Sequence, residues 1–123
     1  NHALSREQLR QVLMPDTNAA KIAELNDRAR QRVDPCRWVI TQGVLACDPI
    51  TVAELLIAVE DFDSFTADND PYAEHDFGVI KLNGNTFFWK FDHYDLDLQL
   101  HSPYPSDPTV TTRVLTIMLA EEY

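Results

Sequence analysis

The stretch DNDPYAEHDFGVIKLNGNTFFWKFDHY, residues Asp68–Tyr94, decides the fold. Within it, Asn83-Gly84 separates two runs that are rich in apolar and aromatic side chains. An Asn-Gly pair in this setting is typical of a two-residue type I′ hairpin turn, because both turn residues must adopt positive φ. The sequence therefore predicts a hairpin with strands over 77–82 and 85–92.

A two-residue turn also fixes which side chains face one another across the hairpin. Counting outward from the turn places Gly78 opposite Trp89, where the missing side chain leaves room for the indole. At the open end of the hairpin the same count places His75 opposite Asp92. A three-residue bulged loop is the alternative, and it would pair Asp76 with Asp92 instead.

Helices are predicted ahead of the first strand. A capping box at Ser5–Gln8 begins a short helix, which ends near Leu13 because Pro15 follows. A second helix is expected over 18–33, where apolar residues recur at helical spacing. One face carries Ile22, Leu25, Ala29 and Val33, and the opposite face carries Lys21, Glu24, Asp27, Arg28, Arg30 and Arg32.

The next segment predicts a strand followed by a helix. Residues 37–46 are rich in Trp, Val and Ile and favour a strand with a bend at Gly43. A helix over about 50–61 follows, and Asp48-Pro49 offers its cap and first residue. A capping box beginning at Thr51 is the competing start for the same helix.

Two further elements are predicted after the hairpin. Leu96, Leu98 and Leu100 alternate with polar residues, which indicates a half-buried strand. Asp107-Pro108 repeats the pattern of Asp48-Pro49, a capping aspartate followed by proline as the first helical residue. A helix is therefore expected from there to Tyr123. A strand is the alternative for this last element, because Val and Thr are frequent over 109–116.

These elements predict an α+β fold in a single domain spanning 1–123, with 1–15 as a peripheral N-terminal helix. The expected core is an antiparallel sheet of three to four strands around the hairpin. Helices pack against it, including the C-terminal helix.

The charge is unevenly distributed along the chain. The net charge is −10, and residues 60–107 hold eleven acids against two lysines, whereas residues 1–59 are neutral overall. Direct nucleic-acid binding needs clustered basic residues, so this pattern argues against it. It favours a protein partner, and a basic one would complement the charge.

The location is expected to be the cytoplasm, and no membrane association is expected. The chain has no apolar run of about 18 residues and no visible secretory signal. Cys36 and Cys47 would lie too far apart along a strand to be bridged, so both are interpreted as free thiols in a reducing compartment.

Ionisable side chains gather at the predicted open end of the hairpin. His75 and Asp92, with Asp76 and Glu74, are candidate catalytic residues, because a carboxylate beside an imidazole orients it for acid–base chemistry. The alternative is that the His75–Asp92 pair only ties the hairpin together. No metal ion or cofactor is predicted, since neighbouring side chains on a strand point to opposite faces. Candidate binding residues are Asp68, Asp70, Tyr72 and Asp95.

Four motifs carry a family resemblance: NDPYAEHDFG (69–78), FWKFDHYD (88–95), HSPYPSDP (101–108) and RVLTIMLAEEY (113–123). In this order they resemble a small proteobacterial family of unknown function, often encoded on plasmids and other mobile elements. The resemblance spans roughly residues 22–123. The family has no established activity, so no catalytic role transfers from it to this chain. Phe91 and His93 stand where that family more often has an aliphatic residue and a tyrosine.

Two functions are compatible with these observations. The first is a macromolecule-binding accessory protein of a plasmid or mobile element, acting through its acidic region. A variant of it is an acidic mimic of nucleic acid. The second is a small hydrolase or nuclease with a His-carboxylate or metal site at His75 and Asp92. There His75 would act as acid or base, and Asp92, Asp76 or Glu74 would orient it or hold a metal ion.

Overall fold

A computed structural model describes residues 18–123, which form a four-stranded sheet with helices packed on it. The predicted helix that begins at Ser5 lies outside the described residues. The elements are α1 (Ala19–Arg30), β1 (Arg37–Ile40), α2 (Gln42–Leu45), α3 (Pro49–Glu60), β2 (Phe77–Leu82), β3 (Asn85–Tyr94), β4 (Thr112–Leu119) and a final 3₁₀ turn (Ala120–Glu122).

The strands lie in the order β1-β4-β3-β2. β2, β3 and β4 form an antiparallel meander, and β1 is added to β4 in parallel. The predicted α+β class is confirmed. The sheet is mostly antiparallel, and the parallel pairing of β1 with β4 departs from the prediction of an antiparallel sheet.

The hairpin has the predicted two-residue turn. Asn83 and Gly84 have φ of 51° and 81°, and the register places Gly78 opposite Trp89. Trp89 is fully buried, and a Cβ added to Gly78 would lie 2.2 Å from its indole Nε1. Glycine is therefore required at position 78 so that the indole can lie across β2.

The core lies between the sheet and the helices. α3 begins as Asp48-Pro49 predicts, because Asp48 Oδ1 accepts a hydrogen bond from the Thr51 backbone N–H at 2.9 Å. The competing capping box at Thr51 is not used. The buried cluster contains Ala29, Val44, Leu55, Val59, Phe87, Trp89, Phe91, Leu115 and Ile117.

The predicted C-terminal helix is wrong, because residues 112–119 form strand β4 and only a 3₁₀ turn follows. β4 is a central strand, paired with β1 on one side and β3 on the other. A central strand can carry apolar residues on both faces, and such a continuous run resembles the wide stripe of a buried helix.

The predicted strand over Leu96–Leu100 is also wrong. The backbone turns here, with Leu98 at φ 60° and the Asp95 N–H donating to the Leu100 carbonyl. Leu96 and Leu100 are more than half exposed, so their alternation with polar residues reflects no buried sheet face.

Two predicted elements are shorter than expected. The strand over 37–46 ends at Ile40, and α2 follows where a bend at Gly43 was predicted. The helix over 18–33 ends at Arg30, so Val33 lies beyond it and is exposed. Arg30, predicted on the solvent face, is only 1% exposed because its guanidinium is bonded internally.

Candidate functional site

A tight loop at the open end of the hairpin positions His75. Asp70 is only 7% exposed, and its Oδ1 accepts hydrogen bonds at 3.2 Å from the backbone N–H groups of Glu74 and His75. Ala73 and His75 have φ of 55° and 54°, an unfavourable region for residues with a side chain. The loop is therefore closed around the Asp70 carboxylate, which offsets part of this backbone strain.

The His75 ring bonds to helix α1 rather than to the hairpin. Its Nδ1 lies 3.0 Å from both carboxylate oxygens of Asp27, and its Nε2 lies 3.6 Å from Asp70 Oδ2. The ring stacks on Phe65, with centroids 3.8 Å apart and planes 3° apart. His75 is thus held on three sides while 28% of its side chain remains exposed.

Arg30 connects this histidine site to the core. Its Nη2 lies 3.1 Å from Asp27 Oδ1, and its Nη1 donates to the carbonyl oxygens of Val59 and Glu60. The guanidinium carbon lies 5.3 Å from the Trp89 ring centroid, within the range of a cation–π contact. Asp27 therefore bridges a buried cation and a partly exposed imidazole.

Asn26 makes a second connection between α1 and the same end of the sheet. Its side chain donates to the Glu74 carbonyl at 2.9 Å. Its Oδ1 accepts from Arg113 Nε at 2.8 Å and lies 3.0 Å from His93 Nε2. Because an amide oxygen only accepts, the hydrogen bond to His93 uses the tautomer with a hydrogen on Nε2. One fully buried amide thus joins the loop, β3 and β4.

The structure gives His75 a different carboxylate from the one predicted. β2 begins at Phe77, so His75 lies outside the paired register, and the Asp92 carboxylate lies 3.3 Å from Lys90 Nζ. Asp76 stays at the hairpin end, where its carbonyl accepts the Phe91 N–H. Burial raises the pKa of Asp76, and the neighbouring charges of Asp70 and Asp92 raise it further.

Of the predicted binding residues, two are exposed on the surface and two accept hydrogen bonds from the protein's own backbone. Asp68 and Tyr72 are exposed, and Asp95 accepts the Gln99 N–H within its own turn. Asp70 is an internal acceptor of the loop and not a surface group. Among residues 18–123, four exposed aspartates of the acidic region form no ion pair: Asp61, Asp63, Asp68 and Asp97.

Asn26 and Asp27 were missed as site residues because they lie 48 residues before the loop residues that they contact. Arg30 was missed because its partners at the end of α3 lie 29 and 30 residues after it. Their positions nevertheless carried a signal. Asn26 follows Ile22 by four residues on the apolar face of α1, and a polar residue on a buried face needs an internal partner.

Metal binding and membrane insertion find no support in the part of the chain that the structure describes. There, no three side chains of His, Cys, Asp or Glu are grouped so that they could hold an ion. No helix within 18–123 has the length and apolar character that crossing a bilayer requires.

Comparison with known proteins identifies a family to which the chain is similar. The sequence model of a family described as "Protein of unknown function (DUF3768)" matches residues 40–122. No curated protein and no solved structure matches the chain.

Proposed function

The chain belongs to the DUF3768 family of proteins of unknown function, and on that premise we propose that it binds a basic macromolecule through its acidic region, residues 60–107. The partner would be a protein, and the chain would act as an accessory protein of a plasmid or other mobile element. That setting follows from the family resemblance of the four motifs.

The proposal rests on a set of exposed carboxylates that have no lysine or arginine as an ion-pair partner within the described residues. Asp61, Asp63, Asp68 and Asp97 are exposed, and no lysine or arginine among residues 18–123 pairs with them. A net charge of −10 raises the electrostatic energy of the isolated protein through self-repulsion. A cationic surface would relieve that repulsion and be steered toward this one.

The loop between α3 and β2, residues 61–76 and called the acidic loop below, is anchored to the rest of the domain, and this supports the same function. Asp27 holds the His75 side chain, and Asn26 holds the Glu74 carbonyl, so α1 fixes the segment that follows Asp61, Asp63 and Asp68. Thr66 and Asn69 also exchange hydrogen bonds within it. Charges presented on an ordered loop lose less conformational entropy on binding than charges on a free one.

The sharpest form of the proposal is mimicry of nucleic acid. A DNA-binding protein presents lysines and arginines to phosphates, and carboxylates at the same surface would compete for those side chains. Such binding must weaken steeply with added salt, because exposed charges are screened beyond about 10 Å at 0.1 M.

A displacement assay tests the proposal. A panel of purified DNA-binding proteins is loaded with fluorescein-labelled duplex DNA, and anisotropy is followed as this protein is added. We expect displacement from at least one member at 50 mM salt, with loss at 500 mM. Polyglutamate of equal total charge is the control for unspecific competition. Displacement from no member, or displacement that polyglutamate matches throughout, would contradict the proposal.

A second candidate function is hydrolysis, possible because His75 has the geometry of an oriented base. Asp27 holds Nδ1 at 3.0 Å, while Nε2 lies 3.6 Å from Asp70, beyond a normal hydrogen bond. Asp76, with its raised pKa, would be the candidate acid. The test is a screen of phosphodiester and ester substrates with wild type and His75→Ala. Turnover that this variant abolishes would support hydrolysis, and equal rates would exclude a role for His75.

A further inference from the structure

Strand β2 forms the longer of the two outer edges of the sheet. The outer strands are β2 and β1, which have six and four residues. The register of β2 with β3 runs from Phe77 to Leu82 without a bulge, and no proline interrupts it. A regular outer strand of this kind is a template for pairing with another chain.

The backbone of β2 has unpaired groups at every second residue. The Phe91 N–H donates to the Asp76 carbonyl, and along an antiparallel strand the residues that bond to the neighbour alternate with residues that do not. The same alternation turns the backbone groups of Phe77, Val79 and Lys81 away from β3. Within residues 18–123, no hydrogen bond reaches these outward groups.

We propose that β2 pairs antiparallel with β2 of a second copy of this chain, so that two four-stranded sheets become one. The pair is centred on Val79, which lies opposite Val79 of the second copy, and Phe77 lies opposite Lys81. In this register each outward residue meets another outward residue, so the backbone groups of all three are bonded. A shift by one residue would instead set them against groups that already bond to β3.

The side chains on the open face of the sheet, the face opposite to the helices, support the same register. Val79 is 40% exposed and continues a row across the strands with Phe88 and Met118. Pairing at Val79 joins this row to its copy, so one apolar row crosses the interface. Cross-strand contacts between aromatic and β-branched side chains stabilise sheets.

Lys81 gains a partner in this register. It forms no ion pair with any residue of 18–123. Pairing places it beside Phe77 of the second copy, whose ring lies 5.1 Å from Phe88 and 6.3 Å from Tyr123, measured between centroids. An ammonium group over such a ring is a favourable cation–π contact. Phe77 also directly follows the acidic loop, so this cation lies at the acidic end of the opposite strand.

The antiparallel direction keeps the two acidic loops apart. Each loop ends at Asp76, and at about 3.3 Å per residue the two copies of Asp76 lie about 20 Å apart along the paired strands. The Debye length is about 8 Å at physiological ionic strength, so repulsion between the loops is largely screened. Parallel pairing would place the loops side by side, which a net charge of −10 per chain opposes.

Sedimentation velocity of the full chain at concentrations from 5 to 500 µM tests the association. We expect a shift from monomer to dimer over this range. Amide hydrogen exchange of the wild type then identifies the paired strand. Exchange at Phe77, Val79 and Lys81 should slow at least about tenfold as the dimer fills, because their N–H groups are bonded only in the dimer.

Two lysine substitutions provide a matched control. Val79 and Val39 lie on the same open face, one on each outer strand, and are 40% and 44% exposed. Val79→Lys sets two ammonium groups opposite each other and should raise the dissociation constant of the dimer at least about tenfold. Val39→Lys should leave it unchanged.

Three results would overturn the proposal. They are a chain that stays monomeric at 500 µM, a dimer in which the β2 amides exchange as fast as in the monomer, and a Val39→Lys effect as large as that of Val79→Lys. None of these measurements involves a basic partner, so the outcome is independent of the proposed function.

Discussion

His75 Nδ1 lies 3.0 Å from both carboxylate oxygens of Asp27, a residue 48 positions earlier in the chain. This contact fastens the acidic loop to α1, and through the bond of Asp27 to Arg30 it reaches the buried core. The loop that precedes the hairpin is therefore an ordered part of the domain, although most of its residues lie on the surface.

Replacing His75 with alanine should lower the free energy of unfolding by about 1–2 kcal/mol, since the Asp27 bond and the stacking on Phe65 are both lost. Urea denaturation measures the change. The exposed His101 is a suitable control, and His101→Ala should cost less than about 0.5 kcal/mol. Equal effects of the two substitutions would mean that the contact of His75 with Asp27 adds nothing to stability.

Gly78→Ala should destabilise the protein by about 2–3 kcal/mol, because the added methyl group would overlap the Trp89 indole. Gly84→Ala is the comparison: a Cβ there meets no atom within 4 Å, and only the φ of 81° opposes it. It should cost about 1 kcal/mol, so thermal denaturation should rank the first variant as the less stable. The reverse order would contradict the placement of Trp89 across β2.

Leu115→Ala should cost about 3 kcal/mol, because this side chain is fully buried on the helix-facing side of β4. Leu100→Ala should be almost neutral, since Leu100 is 72% exposed in the turn that replaces the predicted strand. Chemical denaturation of both variants checks the two corrections to the predicted fold together. A large effect at Leu100 would argue that it is buried in a strand after all.

Stability should fall as pH rises through the ionisation of Asp76. Its native pKa is raised above the ordinary 3.8, so between 3.8 and the native value the folded state binds more protons than the unfolded state. Asp76→Asn cannot ionise, so its stability relative to wild type should increase from pH 3 to pH 7. Unfolding in urea at both pH values measures this difference, and Asp97→Asn, at an exposed site, should show no such trend.

The hairpin and α3 could be predicted because their signals are local. The Asn83-Gly84 turn determines its own φ angles, and Asp48 caps the helix that it precedes. β4 could not be distinguished from a helix, because its apolar residues fit either element, and its pairing with β1 and β3 is what makes it a strand. That arrangement appears only when distant strands assemble.

The candidate site shows the same division between local and distant causes. The loop closed by Asp70 can be recognised from the sequence as a turn. The excess of acidic residues over 60–107 can also be read directly from the sequence. The partner of His75 was not predictable, because Asp27 reaches it only through the packing of α1 against the sheet. Asp92 is the natural partner only of a His75 that continues strand β2, and the φ of 54° at His75 ends that extension.

The most direct test of the account is duplex displacement by a variant in which three exposed aspartates are neutralised: Asp61→Asn, Asp63→Asn and Asp68→Asn. A matched control changes the same number of exposed carboxylates elsewhere: Glu24→Gln, Glu54→Gln and Glu121→Gln. At about 0.5 kcal/mol for each exposed contact, the first variant should need about tenfold more protein for half displacement, and the control should behave as wild type. Equal displacement by both variants would contradict binding through the acidic region.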